Sequence, residues 1–190
     1  FIHITKTAGT SVAKSLFNYL PYHYTAIDYR VIYGKQLFNR YYKFAFVRNP
    51  WDRLYSAFRY LKSGGWNDDD KKWAQSNLSE FSDFNDFVDN WLNRENIKKH
   101  LHFKPQYQFI CDSHEQILID YLAYFETIND DFKKIAEHLG IDASIGHHNA
   151  NPAVSYKKIY NEKSRAIVAD IYAMDIELFG YEFDGIKERK

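Results

Sequence analysis

The chain has 190 residues, 45% apolar and 26% charged, which is enough apolar mass for one folded α/β domain and excludes a disordered chain. Its formal net charge is zero, which argues against a general nucleic-acid binder, and no apolar run reaches the roughly 18 residues that cross a bilayer. Cys111 is the only cysteine, so an internal disulfide and a cysteine zinc cluster are excluded. That fits a reducing compartment, and with no basic start or cleavage site in view a cytoplasmic location is expected.

Charge is unevenly placed. Residues 1–62 hold ten Lys or Arg against Asp28 and Asp52, a balance of +8, which leaves −8 for residues 63–190. A basic first third suggests a small, strongly anionic ligand held there; chance clustering of solvated charges would give the same tally.

Phe1–Ile4 reads as a short buried strand and Thr5–Gly9 as a tight loop. A helix is predicted from Thr10, because Val12, Ala13, Leu16, Phe17 and Leu20 recur at helical spacing, and Pro21 ends it. Strand, small-residue loop and helix start aim backbone N–H groups and the positive end of the helix dipole at one point, an arrangement that holds phosphate. Lys6 adds a full charge there, and Thr7, Thr10 and Ser11 add hydroxyls. Many α/β domains open this way and bind nothing, so the loop alone leaves both readings open.

Residues 18–43 are rich in tyrosine, with a short strand expected near Ala26–Ile32, a turn at Tyr33-Gly34 and a helix over Lys35–Arg40. Lys43–Val47 is a second buried strand that ends at Arg48. Asn49-Pro50-Trp51-Asp52 is a helix start, with Asn49 as cap and Pro50 in the first position. In that helix Leu54, Ala57, Phe58 and Leu61 share one face, while Asp52, Ser56 and Arg59 share the other. Arg48 thus stands at the carboxyl end of a strand, the ligand side of an α/β sheet, either as an anion-binding fork or as a surface Arg capping a neighbouring carbonyl.

Ser63-Gly64-Gly65 breaks the helix, and Trp66–Ser82, with its Asp68-Asp69-Asp70 run, reads as a solvated loop. A helix from Ser82 or Asp83 to about Arg94 turns Phe84, Phe87, Val88, Trp91 and Leu92 inward. His100 and His102 follow in a Lys-rich stretch, as candidate bases or as plain surface histidines. Gln116–Phe125 reads as a third strand. Asn129 is then expected to cap a helix that Gly140 stops. The loop His147-His148-Asn149-Ala150-Asn151-Pro152 is a weak zinc signal, and a last helix is predicted over Glu162–Leu178.

Two strand–loop–helix units, each ending its strand in a cationic site, stand about 40 residues apart, a length that suits one β-α-β passage. That would set the two sites side by side on a parallel sheet, fitting a ligand with two separated phosphates. A P-loop nucleotidase needs its Lys after the glycines and a second strand ending in Asp. Here Lys6 precedes Gly9, and the second strand ends in Arg48.

The stretch His3-Ile4-Thr5-Lys6-Thr7-Ala8-Gly9-Thr10-Ser11 resembles the His-Ile-Pro-Lys-Thr-Gly-Gly-Thr-Ser phosphosulfate loop of carbohydrate sulfotransferases. Phe46-Val47-Arg48-Asn49-Pro50-Trp51-Asp52-Arg53-Leu54-Tyr55-Ser56-Ala57-Phe58-Arg59 resembles their 3′-phosphate motif. Similarity continues at Pro105-Gln106, Cys111, Tyr124-Phe125-Glu126-Thr127 and Phe179-Gly180-Tyr181-Glu182-Phe183. It is closest to the branch holding the chondroitin-type enzymes and their bacterial relatives.

The resemblance implies one sulfotransferase domain over residues 1–190, with a P-loop-nucleotidase-like parallel sheet flanked by helices. It implies transfer of a sulfuryl group from 3′-phosphoadenosine 5′-phosphosulfate (PAPS) to a hydroxyl, on a carbohydrate by first choice, without a metal. Lys6, Thr7, Ala8, Gly9, Thr10 and Ser11 would hold the 5′-phosphosulfate, with Lys6 catalytic at the bridging oxygen; Arg48 and Ser56 would hold the 3′-phosphate. Ala8 departs from the pattern, since a Cβ there puts a glycine-only backbone in doubt. The expected general base is His102, with His100, His23 or a Glu as alternatives. A non-catalytic anionic-nucleotide module and an ATP- or GTP-dependent kinase are the competing readings.

Overall fold

The computed structural model describes residues 1–146 and 155–187; the loop at His147–Pro152 lies outside the described residues. In chain order the helices are Gly9–Phe17 (α1), Ala26–Tyr33 (α2), Lys35–Arg40 (α3), Pro50–Lys62 (α4), Asp68–Asn77 (α5), Phe84–Asn90 (α6), Tyr107–Ile110 (α7), Ile128–Leu139 (α8), Glu162–Ile171 (α9) and Ala173–Phe179 (α10). The strands are Phe44–Val47 (β1), Tyr121–Tyr124 (β2), Tyr181–Glu182 (β3) and Gly185–Ile186 (β4). The chain forms two compact units, Phe1–Arg48 with Pro105–Asn151 and Asn49–Lys104 with Pro152–Lys190.

The first unit is built on a small parallel sheet. β1 pairs with β2 in the register Phe44↔Tyr121 to Val47↔Tyr124. The other edge of β1 takes Ile2, which bridges Ala45 in parallel and donates its N–H to the Phe44 carbonyl at 2.9 Å. All four β1 residues are buried, as parallel strands require. Phe44, Phe46 and Ala123 form one core with Val12 of α1 and Phe132, Ile135 and Ala136 of α8. Asp131, buried in the first turn of α8, accepts from the Tyr121 hydroxyl, the Tyr124 amide and the Thr127 hydroxyl at 2.6–2.9 Å. One carboxylate thereby ties β2 to α8.

The second unit is mainly helical. Asn49 Oδ1 accepts the Trp51 N–H at 3.1 Å with Pro50 at the first position, and Leu54, Ala57, Phe58 and Leu61 of α4 enter the core. Phe84, Phe87, Trp91 and Phe103 stack beside them, and the Tyr172 hydroxyl donates to the Phe103 carbonyl at 2.8 Å.

Several local expectations are corrected. The strand near Ala26–Ile32 is α2: Thr25 and Asp28 form a capping box, with 2.7 Å from the Thr25 amide to Asp28 and 3.1 Å back. The loop at Trp66–Ser82 contains α5, where Asn67 caps the Asp70 N–H at 2.8 Å and the three aspartates complement the helix dipole. α1 begins at Gly9 and ends at left-handed Asn18, well before Pro21, leaving Phe17 and Leu20 exposed. α6 ends at Asn90, short of Arg94.

The first strand reduces to the Ile2 bridge, and the third pairs only over β2 because Cys111 holds Ile117 in a separate bridge. α8 starts at Ile128, so Asn129 lies inside its first turn, not at its cap. The last helix breaks at Tyr172, whose backbone leaves helical geometry between α9 and α10.

Candidate active site

The loop expected to hold an anion, Thr5–Ser11, lies in the first unit. Thr5 and Thr7 are fully buried, and the Thr7 hydroxyl donates to the Ile4 carbonyl at 3.0 Å, so it braces the loop from inside. Lys6 and Ala8 both take left-handed backbone, with φ of 65° and 63°. Ala8 thus takes left-handed backbone despite its Cβ, at a cost of roughly 1–2 kcal/mol. Such left-handed turns curl successive N–H groups toward one concavity. The Ala8 carbonyl accepts the amides of Ser11 and Val12 at 2.9 and 3.1 Å, so the Gly9 and Thr10 amides precede the first helical bonds.

Gly9 is required for space. A Cβ there would lie 2.0 Å from His3 Cδ2 and 2.3 Å from His3 Nε2. His3 is buried, its Nδ1 donates to the Pro21 carbonyl at 3.2 Å, and its ring centroid is 4.1 Å from that of His23. Burial, aided by His23, holds the His3 pKa down to about 4 against the Pro21 bond, so the ring is neutral. His23 Nδ1 donates to the His3 carbonyl at 2.8 Å.

Arg48 follows β1, next to the loop. Its N–H donates to Gln106 Oε1 and its carbonyl accepts from Gln106 Nε2, both at 2.9 Å, so the fully buried Gln106 clasps the main chain on both sides. The guanidinium lies 4.1 Å from the Phe125 ring centre, and Nη1 donates to the Lys6 carbonyl at 3.1 Å. Lys6 and Arg48 are therefore brought together, by stacking and clasping residues that motif reading placed in no role. Pro105-Gln106 and Tyr124-Phe125 were visible as short motifs, but their contact with Arg48 was not.

The expected residues divide between the units. Lys6, Thr7, Ala8, Gly9, Thr10, Ser11, His23 and Arg48 belong to the first; Ser56, His100 and His102 belong to the second. Ser56 is part-buried in the second turn of α4. His100 Nδ1 accepts the His102 N–H at 3.3 Å, and its Nε2 faces Asp70 at 3.4 Å. Burial lowers the His100 pKa despite Asp70. Burial alone would raise Asp70, but the Trp66 amide, the Tyr60 hydroxyl and the two histidines outweigh it and hold that carboxyl below its usual range. His102 meets the Tyr60 ring edge-on at 4.9 Å. Asp70, hidden in the acidic run, is thus a partner of the histidine pair.

Among the described residues, no group of three or more His, Cys, Asp or Glu could hold a metal ion, and no helix is long and apolar enough to cross a membrane. Residues 24–182 match the sequence model of a family described as "Sulfotransferase family". A protein of Archaeoglobus fulgidus, named only "Uncharacterized protein", is 31% identical over 128 residues, covering 66% of this chain and 91% of its own length. No solved structure matches.

Proposed function

The chain belongs to the sulfotransferase family, and from that premise we propose that it transfers a sulfuryl group from PAPS to an acceptor hydroxyl, with a carbohydrate as the acceptor class and residues 1–190 as one working domain of P-loop-nucleotidase-like fold. The observation that carries this reading is the bond from Arg48 to the Lys6 carbonyl. It sets the Arg48 guanidinium against the main chain of Lys6, beyond the ends of neighbouring parallel segments, an arrangement that suits a donor with two separated phosphates. The loop also fits: left-handed Lys6 and Ala8 and the α1 N-terminus favour an anion at this point.

In this reading Lys6, Thr7, Ala8, Gly9, Thr10 and Ser11 hold the 5′-phosphosulfate, and Arg48 and Ser56 hold the 3′-phosphate. The acceptor oxygen forms its bond to sulfur while the bond from sulfur to the 5′-phosphate oxygen breaks in line. Lys6 and the loop amides meet the charge that grows on that phosphate, a role a metal fills in nucleotidases. The acceptor proton passes to a histidine. The candidates are His102, His100 and His23; we take His23 here, because its Nδ1 bonds to the carbonyl of His3, the residue packed on Gly9. Its Nδ1–H is committed to a carbonyl, so the neutral ring carries its lone pair on Nε2.

Thermal unfolding with adenosine 3′,5′-bisphosphate against 5′-AMP, both without magnesium, tests the reading. Ligand about 100-fold above its dissociation constant adds ~2.7 kcal/mol, a rise on the order of 5–10 °C for a domain of this size. A large rise with the bisphosphate and little with AMP supports it. Equal rises, or none without magnesium, would return the kinase or the non-catalytic module.

A further inference from the structure

We propose that His3 is a positioning residue that couples the anion loop to the base, so that one buried imidazole sets both the start of α1 and the orientation of His23. The inference rests on the reading of His23 as base. Three contacts carry it. The Cδ2–Nε2 edge of the ring occupies the space a Cβ on Gly9 would need, so the first turn of α1 lies directly on that edge. The opposite side of the ring donates from Nδ1 to the Pro21 carbonyl, which anchors the chain two residues before His23. The main-chain carbonyl of His3 accepts from His23 Nδ1, and the two rings lie 4.1 Å apart.

Carbonyls accept only, so both imidazoles carry their proton on Nδ1. The neutral state of His3 agrees with its low pKa. No simpler side chain serves both halves of the arrangement. A phenylalanine supplies the ring edge without the donor; an asparagine supplies a donor near the Nδ1 position without the edge. A displaced loop would therefore move the His3 ring, and with it the base.

Two variants separate the halves. His3→Asn is expected to weaken adenosine 3′,5′-bisphosphate binding about tenfold, because the loop loses its backing. It should leave His23 protonated on Nδ1 in long-range 1H–15N spectra. His3→Phe is expected to keep the bisphosphate affinity and to lose the single His23 tautomer, with a matching change in the pH profile of turnover. Both variants changing both readouts alike, or neither changing either, would overturn the coupling.

The wild-type protein decides the matter if the variants do not fold. His3 and His23 must both show Nδ1 protonation, and His3 must not titrate between about pH 8 and 5. A His3 protonated on Nε2, or titrating like a free imidazole, overturns the proposal. Absence of bisphosphate binding by the wild-type protein would instead count against the sulfotransfer reading, and the tautomer spectra would still decide the role of His3.

Discussion

Arg48 donates through Nη1 to the main-chain carbonyl of Lys6, 42 residues away in sequence, at 3.1 Å. The two cations touch through backbone, so the Lys6 amine and the Arg48 guanidinium are not forced to share one anion. Their roles should separate kinetically. Lys6→Ala is expected to lower turnover by about 100-fold or more with PAPS, as loss of a group stabilising transition-state charge does. Bisphosphate affinity should fall less than about tenfold. Steady-state kinetics beside calorimetric titration would show the split, and normal turnover in Lys6→Ala would refute the role.

Arg48→Gln should give the converse. Loss of a charge-assisted fork is expected to cost about 2 kcal/mol of bisphosphate binding, near 30-fold, with little effect on 5′-AMP. Equal losses for both nucleotides would place Arg48 away from the 3′-phosphate.

Gly9→Ala should unsettle the loop. With a Cβ 2.0 Å from the His3 ring, either the ring or α1 must shift, and overpacking of this kind costs about 1–3 kcal/mol. Urea unfolding measures the stability loss. Bisphosphate affinity should drop with it, because the displaced residue opens the helix at the anion site.

The buried His3 makes stability depend on pH with a definite sign. Its folded pKa of about 4 lies below its ordinary 6.5, so on acidification the unfolded chain binds the proton and the folded chain does not. Stability is therefore lost as pH falls from about 6.5 to about 4, by about 3 kcal/mol in the limit. His23 is the titratable side chain that faces the ring, and it lowers the His3 pKa further. Urea midpoints from pH 7 to 4.5 should fall less steeply in His3→Phe than in the wild-type protein. Equal slopes would show that His3 titrates as an exposed imidazole.

Gln106→Ala should cost about 2–3 kcal/mol, because it removes the bonds of a fully buried side chain to both the amide and the carbonyl of Arg48. Bisphosphate affinity should fall in proportion as the guanidinium loses its anchor. Chemical denaturation and titration of the same sample would check both.

Where a short stretch of chain holds its own reason, the sequence was legible. Asn49-Pro50 announced α4, Lys43–Val47 contained β1, and Gly140 and Gly180 marked helix ends with left-handed backbone. It misled where two local signals competed. The tyrosine-rich stretch after Thr25 read as a strand although Thr25 and Asp28 form a capping box, and three adjacent aspartates hid a helix first turn behind Asn67. The cationic residues Lys6 and Arg48 stood out by type and by their places after two buried segments.

What carried no local signature were the contacts that aim them. Gln106 reaches Arg48 across 58 positions, the His3 ring settles on Gly9, and His23 hangs from the His3 carbonyl. The sequence by itself determined which cationic and hydroxyl side chains the first third carries and several of the helix starts and stops, because residue type and period are local properties. Only the tertiary structure decided that the His3 ring packs on Gly9, that His23 bonds to the His3 carbonyl and what holds Arg48 in place, because burial and hydrogen-bond partners exist only once distant segments have packed.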